Sequence, residues 1–270
     1  MSPVVHIFAA LDLQDLLSAA PGIGLDEIQD AALLSRLDSK FIVREAWLPE
    51  LISAVLEAGE HRVLAVNGVR QTTYDNSFLD TPDLRCFQAH TRGRNDRYKA
   101  RIRRYRSNGR TFLEVKHKTV HGRTIKQRWE RAGGADWDAP LTVEERAALA
   151  EAFPFAAESV PVMSSAFERF TLVAPERAER FTVDTGLTFR SADGFEANLP
   201  GCAIIEMKQQ RIDRRSPLFN ALDPFRGAHP PLGRTTRVSK YIVGTALTRP
   251  EQSVRTYRPV IRELERTFLP

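Results

Sequence analysis

The chain has 270 residues, of which 42% are apolar, enough for one large domain or two small ones, and its formal net charge is a modest +5. Its two cysteines, Cys86 and Cys202, lack CxxC or histidine-partner spacing, which argues against a disulfide scaffold or a zinc site and suits a reducing cytosol. No run approaches the roughly 18 apolar residues of a membrane span, and an N-terminus with no early Lys or Arg and with Asp12 inside its apolar stretch does not read as a signal peptide.

In chain order, residues 3–35 alternate apolar clusters with Asp and Glu around a Pro21-Gly22 break and predict two short helices. RLDSKFIVRE (36–45) predicts the first strand, with Asp38, Lys40 and Ile42 on one face, since successive strand side chains point to opposite sides. Helical spacing of Leu48, Leu51, Ile52, Val55 and Leu56 predicts a helix from Trp47 to about Glu60, closed by Gly59. The stretch after Arg70 predicts a strand, a turn at Asp80-Thr81-Pro82, and a helix whose start is marked by Thr81 before Pro82.

RYKARIRRYRSNGRTFLEVKHK (97–118) reads as two strands joined at Ser107-Asn108-Gly109, because Asn-Gly between alternating segments is a strong hairpin signal. Lys99, Arg101 and Arg103 then share a face, as do Glu114, Lys116 and Lys118. GRTIKQRWE continues the rhythm with Lys126 and Arg128. From Arg92 to Arg131 there are 15 Lys/Arg against 3 Asp/Glu, so the remaining residues are net acidic and the positive charge is concentrated on one sheet face. Like charges opposite one another destabilise a sheet. A solvated surface would scatter its cations, whereas a strict period over three strands predicts a face that binds a polyanion.

A helix is expected from about Thr142, with Glu144 and Glu145 favoured in its first turn by the helix dipole. Strands are expected over 163–173, with Arg169 on a face with Phe167 and Thr171, and over 179–189, grouping Arg180, Thr182 and Asp184. CAIIEMK (202–208) puts Ile204, Glu206 and Lys208 together. Helices over 216–222 and 239–247 follow. The fold class expected is α+β: an antiparallel β-barrel with a charged lumen and an apolar outer face wrapped by helices, since barrels have no edges.

FLDTPDLRCFQAHTRG, followed by KARIRRY, FLEVKHK, GRTIKQR, AFERF, RFTVDTGL, IIEMK and RVSKY, resembles the VTC domain. That domain is the polyphosphate polymerase module of the vacuolar transporter chaperone, in the CYTH or triphosphate tunnel metalloenzyme superfamily. The resemblance spans residues 36–248, leaving 1–35 as an N-terminal helical segment and 249–270 as a tail. It implies a tunnel lined by Lys and Arg that hold a phosphate chain and by acidic residues that hold Mn²⁺ or Mg²⁺. Matched by motif, the phosphate-binding candidates are Lys40, Arg101, Arg103, Lys116, Lys126, Arg169, Arg180, Lys208, Arg237, Ser239 and Lys240. Glu206 matches the family's metal-binding glutamate. Glu114 is a second metal candidate or a counter-ion for Lys116 and Arg103, and a structural hydrogen-bonding role is expected for Asp184. The superfamily's ExExK signature reads Arg36-Leu37-Asp38-Ser39-Lys40 here, so the first strand contributes less to a metal. Family members with an SPX domain and transmembrane helices differ from this chain, which is expected to be a cytoplasmic tunnel domain.

Phosphoryl transfer catalysed by positioning and electrostatic stabilisation fits these residues, with Arg101, Arg103 and Glu206 in the catalytic roles. The expected partners are a nucleoside triphosphate such as ATP and inorganic polyphosphate or triphosphate. A terminal phosphate is ionised near neutral pH and needs no general base, so the few lumen carboxylates favour transfer over hydrolysis. A metal-dependent triphosphatase and a non-catalytic polyanion binder remain the alternatives. Nucleic acid is disfavoured because the basic stretch has few aromatics for base stacking. Replacing Arg101 or Arg103 with alanine is expected to leave the empty protein as stable as before or slightly more so, by relieving repulsion.

Overall fold

The computed structural model describes residues 12–28, 37–131, 137–225 and 237–269. Along them run strands β1 (Gly22–Ile23), β2 (Leu37–Arg44), β3 (Arg62–Leu64), β4 (Gln71–Asp80), β5 (Arg97–Tyr105), β6 (Thr111–Lys118), β7 (Thr124–Arg131), β8 (Val160–Ala174), β9 (Glu179–Ser191), β10 (Glu196–Leu199) and β11 (Cys202–Gln209). The helices are α1 (Leu13–Ala19), α2 (Leu48–Glu57), α3 (Arg85–Thr91), α4 (Val143–Ala150), α5 (Pro217–Leu222), α6 (Lys240–Thr248) and α7 (Arg258–Phe268). The chain divides into two compact units: Met1–Thr72 with Glu168–Thr185 and Gly201–Thr236, and Thr73–Phe167 with Gly186–Pro200 and Arg237–Pro270. The long strands β8 and β9 contribute to both.

In the first unit, β11 pairs antiparallel with β2 on one side and β9 on the other. Period-2 alternation sends Phe41, Val43, Phe181, Val183, Ala203, Ile205 and Met207 to one side. There they form a core with Leu48, Leu51, Ile52 and Val55 of α2 and Leu218, Phe219 and Leu222 of α5. The apolar spacing of α2 is the one read from the sequence, and the chain leaves it through Gly59 at φ +75°, a conformation glycine takes without strain. Of the two helices expected before residue 36, α1 is present, capped by the Asp12 carboxylate on the Asp15 N–H (2.9 Å). Residues 1–11 and 29–36, Arg36 included, lie outside the described residues.

In the second unit, β4, β5, β6 and β7 form an antiparallel meander. One face buries Leu79, Ala100, Ile102, Leu113 and Val115 against Leu149 of α4 and Phe153. The Tyr105 N–H donates to Arg110 O (3.0 Å), so the β5–β6 connection is a four-residue loop, 106–109, that contains the expected Ser107-Asn108-Gly109 turn, with Gly109 at φ +68°. Thr142 and Glu145 close α4 with a reciprocal capping box.

The start of α3 differs from expectation. It begins at Arg85, not at Pro82, after Leu84 takes φ +61°. Thr81 still caps it, its Oγ1 accepting from the Arg85 N–H (3.0 Å), while the fully buried Asp80 carboxylate accepts from the N–H groups of Cys86 and Phe87 (2.9 Å each). The Tyr241 hydroxyl of α6 donates to the same carboxylate (2.5 Å). The segment expected as a tail contains α7, whose Val260, Ile261, Leu264 and Phe268 are buried. Strands β1, β3 and β10, of two to four residues, are too short for a period-2 pattern to reveal them.

The barrel expected from the sequence does not close. The hydrogen-bonded order is β2-β11-β9-β8-β4-β5-β6-β7, and among the described residues its end strands are not paired with each other. The alternation that suggested a barrel is equally met by an open sheet with helices on its apolar face. The last strand is guarded as open edges are, by exposed charge at Lys126, Arg128 and Glu130.

Gly244 lets α6 pack closely: a Cβ there would stand 2.5 Å from Phe189 and 2.8 Å from Met163. Alanine is the better helix former by about 1 kcal/mol, yet Gly244→Ala should destabilise the protein, by about 1–3 kcal/mol from overpacking. Urea unfolding measures the sign, and a stabilised variant would show that α6 is less tightly seated.

Candidate phosphate-binding faces

The face of the second unit opposite its apolar core carries the charge. Register sets Arg97 opposite Lys118, Lys99 opposite Lys116, Arg101 opposite Glu114 and Arg103 opposite Phe112. On the next strand Lys126 stands opposite Lys116, Arg128 opposite Glu114 and Glu130 opposite Phe112. Eight cations thus face two carboxylates, so the face is strongly positive. Arg101 donates from Nε to Glu114 Oε2 (2.7 Å), and Arg103 lies 3.9 Å from the same oxygen. Burial pushes the Glu114 carboxyl up, but Arg101, Arg103 and Arg128 outweigh it and hold it below the ordinary value of 4.5.

Arg103 is more deeply set than an open cationic face implies. It is 9% exposed, donates to Asn76 Oδ1 (2.9 Å) and lies over the Tyr74 ring (5.2 Å), which stacks on Phe167. The expectation that its removal leaves stability untouched is therefore corrected: truncation strips contacts from Asn76 and Tyr74 as well as removing a charge. Lys240 Nζ sits over the other aromatic of this pair, Phe167 (4.3 Å). Ser239 gives α6 no side-chain cap; its Oγ accepts from Lys99 Nζ instead (2.9 Å). Arg237 is exposed, as are Lys116 and Lys126.

The first unit carries a balanced charged face. Lys40 is opposite Glu206, which is opposite Thr182; Asp38 is opposite Lys208, which is opposite Arg180; Ile42, Ile204 and Asp184 form the third row. Lys208 Nζ donates to Glu206 Oε1, and Lys40 Nζ lies 3.4 Å from Oε2. Burial alone would raise the Glu206 carboxyl, but Lys40, Lys208 and Arg169 hold it well below the carboxylate range. Burial lowers the Lys208 ammonium, and Glu206 partly restores it. Arg169 makes a two-pronged pair with the buried Asp184 (2.5 and 2.7 Å), which matches the structural role expected for that aspartate.

The structure therefore gathers Arg101, Arg103, Glu114, Lys116 and Lys126 on one face of the second unit. It gathers Lys40, Arg169, Arg180, Glu206 and Lys208 on one face of the first. Glu114 accepts from Arg101 and lies near Arg103. Sequence reading underweighted Lys99, although its spacing from Arg101 placed it on the face; its contact with Ser239, 140 residues away, leaves no local signal. Asn76 and Tyr74 were missed because β4 alternates few charges.

Together these features define an α+β protein whose mostly antiparallel strands carry apolar residues on one face and charge on the other, balanced in the first unit and concentrated and basic in the second. The family model of the VTC domain matches residues 35–249, and the chain belongs to that family. No curated protein matches the sequence. Among solved structures, candidate adenylate cyclases from Vibrio parahaemolyticus and Bacillus halodurans are similar at 14% and 13% identity. The first match covers 77% of this chain and 97% of that one, and the second 76% and 94%, each with TM-score 0.45. A candidate adenylyl cyclase from Hippeastrum with a dominant triphosphatase activity is similar at 14% identity over 78% of this chain and 97% of that one, with TM-score 0.43. At such TM-scores these likenesses carry no further argument.

Because Glu114 is held below its ordinary 4.5, its contribution to stability is complete above that pH and is lost as the pH falls through the depressed folded value. Unfolding free energy measured from pH 7 downward should fall less steeply below about pH 4.5 in Glu114→Gln than in the wild type. Parallel curves would mean the carboxylate is not ionically paired.

Proposed function

We propose that the protein is a polyphosphate polymerase-type phosphoryl transferase, moving the terminal phosphoryl group of a nucleoside triphosphate onto a phosphate chain. The observation that carries this reading is the basic face of the second unit, where lysine stands opposite lysine across three strands. Opposed like charges cost a sheet stability, and a chain of phosphates supplies the regularly spaced negative oxygens that relieve it. An ionised oxygen of the acceptor's end group attacks the γ-phosphorus. The new P–O bond forms as the bond from that phosphorus to the β–γ bridging oxygen breaks, and the nucleoside diphosphate leaves with that electron pair. The acceptor oxygen carries no proton, so no general base is required. Arg101 and Arg103 bind and orient phosphoryl oxygens, and their fixed guanidinium groups stabilise the equatorial charge that spreads in transfer.

The family resemblance implies a divalent ion. Among the described residues no group of three or more His, Cys, Asp or Glu forms a protein cage. Glu206, ionised and on a face with Asp38, fits instead a hard ion held by one or two carboxylates plus substrate phosphates, as Mg²⁺ or Mn²⁺ commonly is. When bound, such an ion would offset charge on phosphate oxygens. Lys40 and Lys208 contact the Glu206 carboxylate and would keep it in place beside such an ion, with their ammonium groups near the phosphate oxygens it would hold.

Incubation with ATP and Mn²⁺ followed by a polyphosphate gel tests the reading. A ladder of chain lengths is expected; release of phosphate alone would make the protein a triphosphatase, and neither product would make it a binder. Arg101→Ala should lower turnover by about two orders of magnitude, the usual loss of one preorganised donor, in a protein that still unfolds cooperatively. Full activity in that variant would remove Arg101 from the site.

Glu206→Gln separates a metal ligand from a counter-ion. The variant should lose Mn²⁺-dependent turnover yet keep or tighten triphosphate binding measured by calorimetry without metal, because a negative charge has left the face. Near-normal activation by Mn²⁺ would move the ion to Glu114 or Asp38.

A further inference from the structure

The apolar side of the second unit's meander is not covered along its whole length. Across β5, β6 and β7 its rows at one end read Tyr98–His117–Ile125 and Ala100–Val115–Gln127. His117 and Gln127 thus place polar groups on a face that elsewhere serves as core, and Ile125 is 51% exposed. Between these rows and the segment 150–154, where α4 ends, lies a cleft of about 370 Å³. Small-molecule sites commonly enclose about 300–1,000 Å³, with mostly apolar walls and a few polar groups that orient the ligand. The described residues that line the cleft all belong to the second unit. The basic face lies on the opposite side of the same strands, so the cleft is separate from the proposed phosphate site.

The chemistry of the walls selects a ligand by charge. The Tyr98 and His117 rings stack with centroids 4.1 Å apart and planes 11° from parallel, and Phe153 packs on Tyr98 at 5.9 Å. His117 Nε2 bonds Asp96 Oδ1 at 2.6 Å. A neutral imidazole that donates there keeps Nδ1 as an acceptor. Glu151 adds a carboxylate and caps the C-terminus of α4, whose last turn carries no basic side chain. The final carbonyls of a helix hold its partial negative charge, which favours a cation nearby. Aromatic faces attract cations as well. Acceptors and negative charge therefore predominate, and an anion would meet repulsion where a protonated amine on an apolar body finds a partner for each part.

We infer that this cleft binds a small organic cation, a protonated amine carried on an aromatic body, with its ammonium at Glu151 and its ring against Tyr98, His117 and Phe153. The inference is independent of the proposed function and adds a second ligand site on the other side of the sheet.

Titration of the full chain with phenethylammonium, and with phenethyl alcohol as its uncharged counterpart, tests it by calorimetry and by the ring-proton resonances of Tyr98 and His117. The amine should bind about fivefold more tightly than the alcohol, the scale of one exposed ion pair, and should shift both rings. Glu151→Gln, at an exposed position, should abolish that advantage and leave the affinity for the alcohol unchanged. Gln127→Phe, also at an exposed position, should fill the cleft and abolish amine binding while triphosphate binding on the opposite face stays as it was. Equal affinity for amine and alcohol, or an advantage that survives Glu151→Gln, overturns the assignment of a cation. Absence of binding, or binding that leaves both rings unshifted and persists in Gln127→Phe, overturns the site. None of these results bears on phosphoryl transfer, which the polyphosphate gel tests separately.

Discussion

Opposition of like charge across adjacent strands is the constraint around which the second unit is built. Each such pair costs a sheet up to about 1 kcal/mol. The meander tolerates several because the other side of the same strands is core: Ala100, Ile102, Leu113 and Val115 are at most 2% exposed. Burying a large aliphatic side chain contributes about 1.5–3 kcal/mol. Three or four of these outweigh the repulsion on the opposite face, which leaves the unit stable. Period-2 alternation thus does two jobs with one pattern, and neither half works without the other.

The two units treat charge differently. In the first, Asp38, Glu206 and Asp184 nearly balance Lys40, Lys208, Arg180 and Arg169, and the closest contacts are ion pairs. Taking such groups out of water is costly unless the geometry is good, and the two-pronged Arg169–Asp184 pair meets that condition. In the second unit the cations outnumber the carboxylates. The first arrangement holds a carboxylate ionised with lysines beside it; the second concentrates positive charge on one face.

The strands that carry charge were legible in the sequence because alternation is a local signal: the faces read for Lys99-Arg101-Arg103, Glu206-Lys208 and Arg180-Thr182-Asp184 are the faces observed. So was α2, whose apolar spacing fixes its buried stripe. What the sequence did not show depends on distant partners or on length. Alternation alone cannot distinguish a closed barrel from an open sheet, because both hide one face. The start of α3 slipped by three residues because the Asp80 carboxylate joins Thr81 in capping it, the pair accepting from the N–H groups of Arg85, Cys86 and Phe87. The buried seat of Arg103 rests on Asn76 and Tyr74, neither of which stands out in β4.

Those distant partners bear on the candidate site through α6. Ser239 and Lys240 open that helix, and two features remote from the charged face fix where it lies. Asp80, fully buried, accepts the hydroxyl of Tyr241 while it caps α3, so the first turn of α6 is tied to the end of β4. One turn on, Gly244 presents no side chain to Phe189 and Met163, and the helix can approach closely. The Ser239 hydroxyl therefore meets Lys99 by construction of the core rather than by any pairing visible along the chain. The placement of the basic end of the face follows from an uncharged contact and a buried carboxylate.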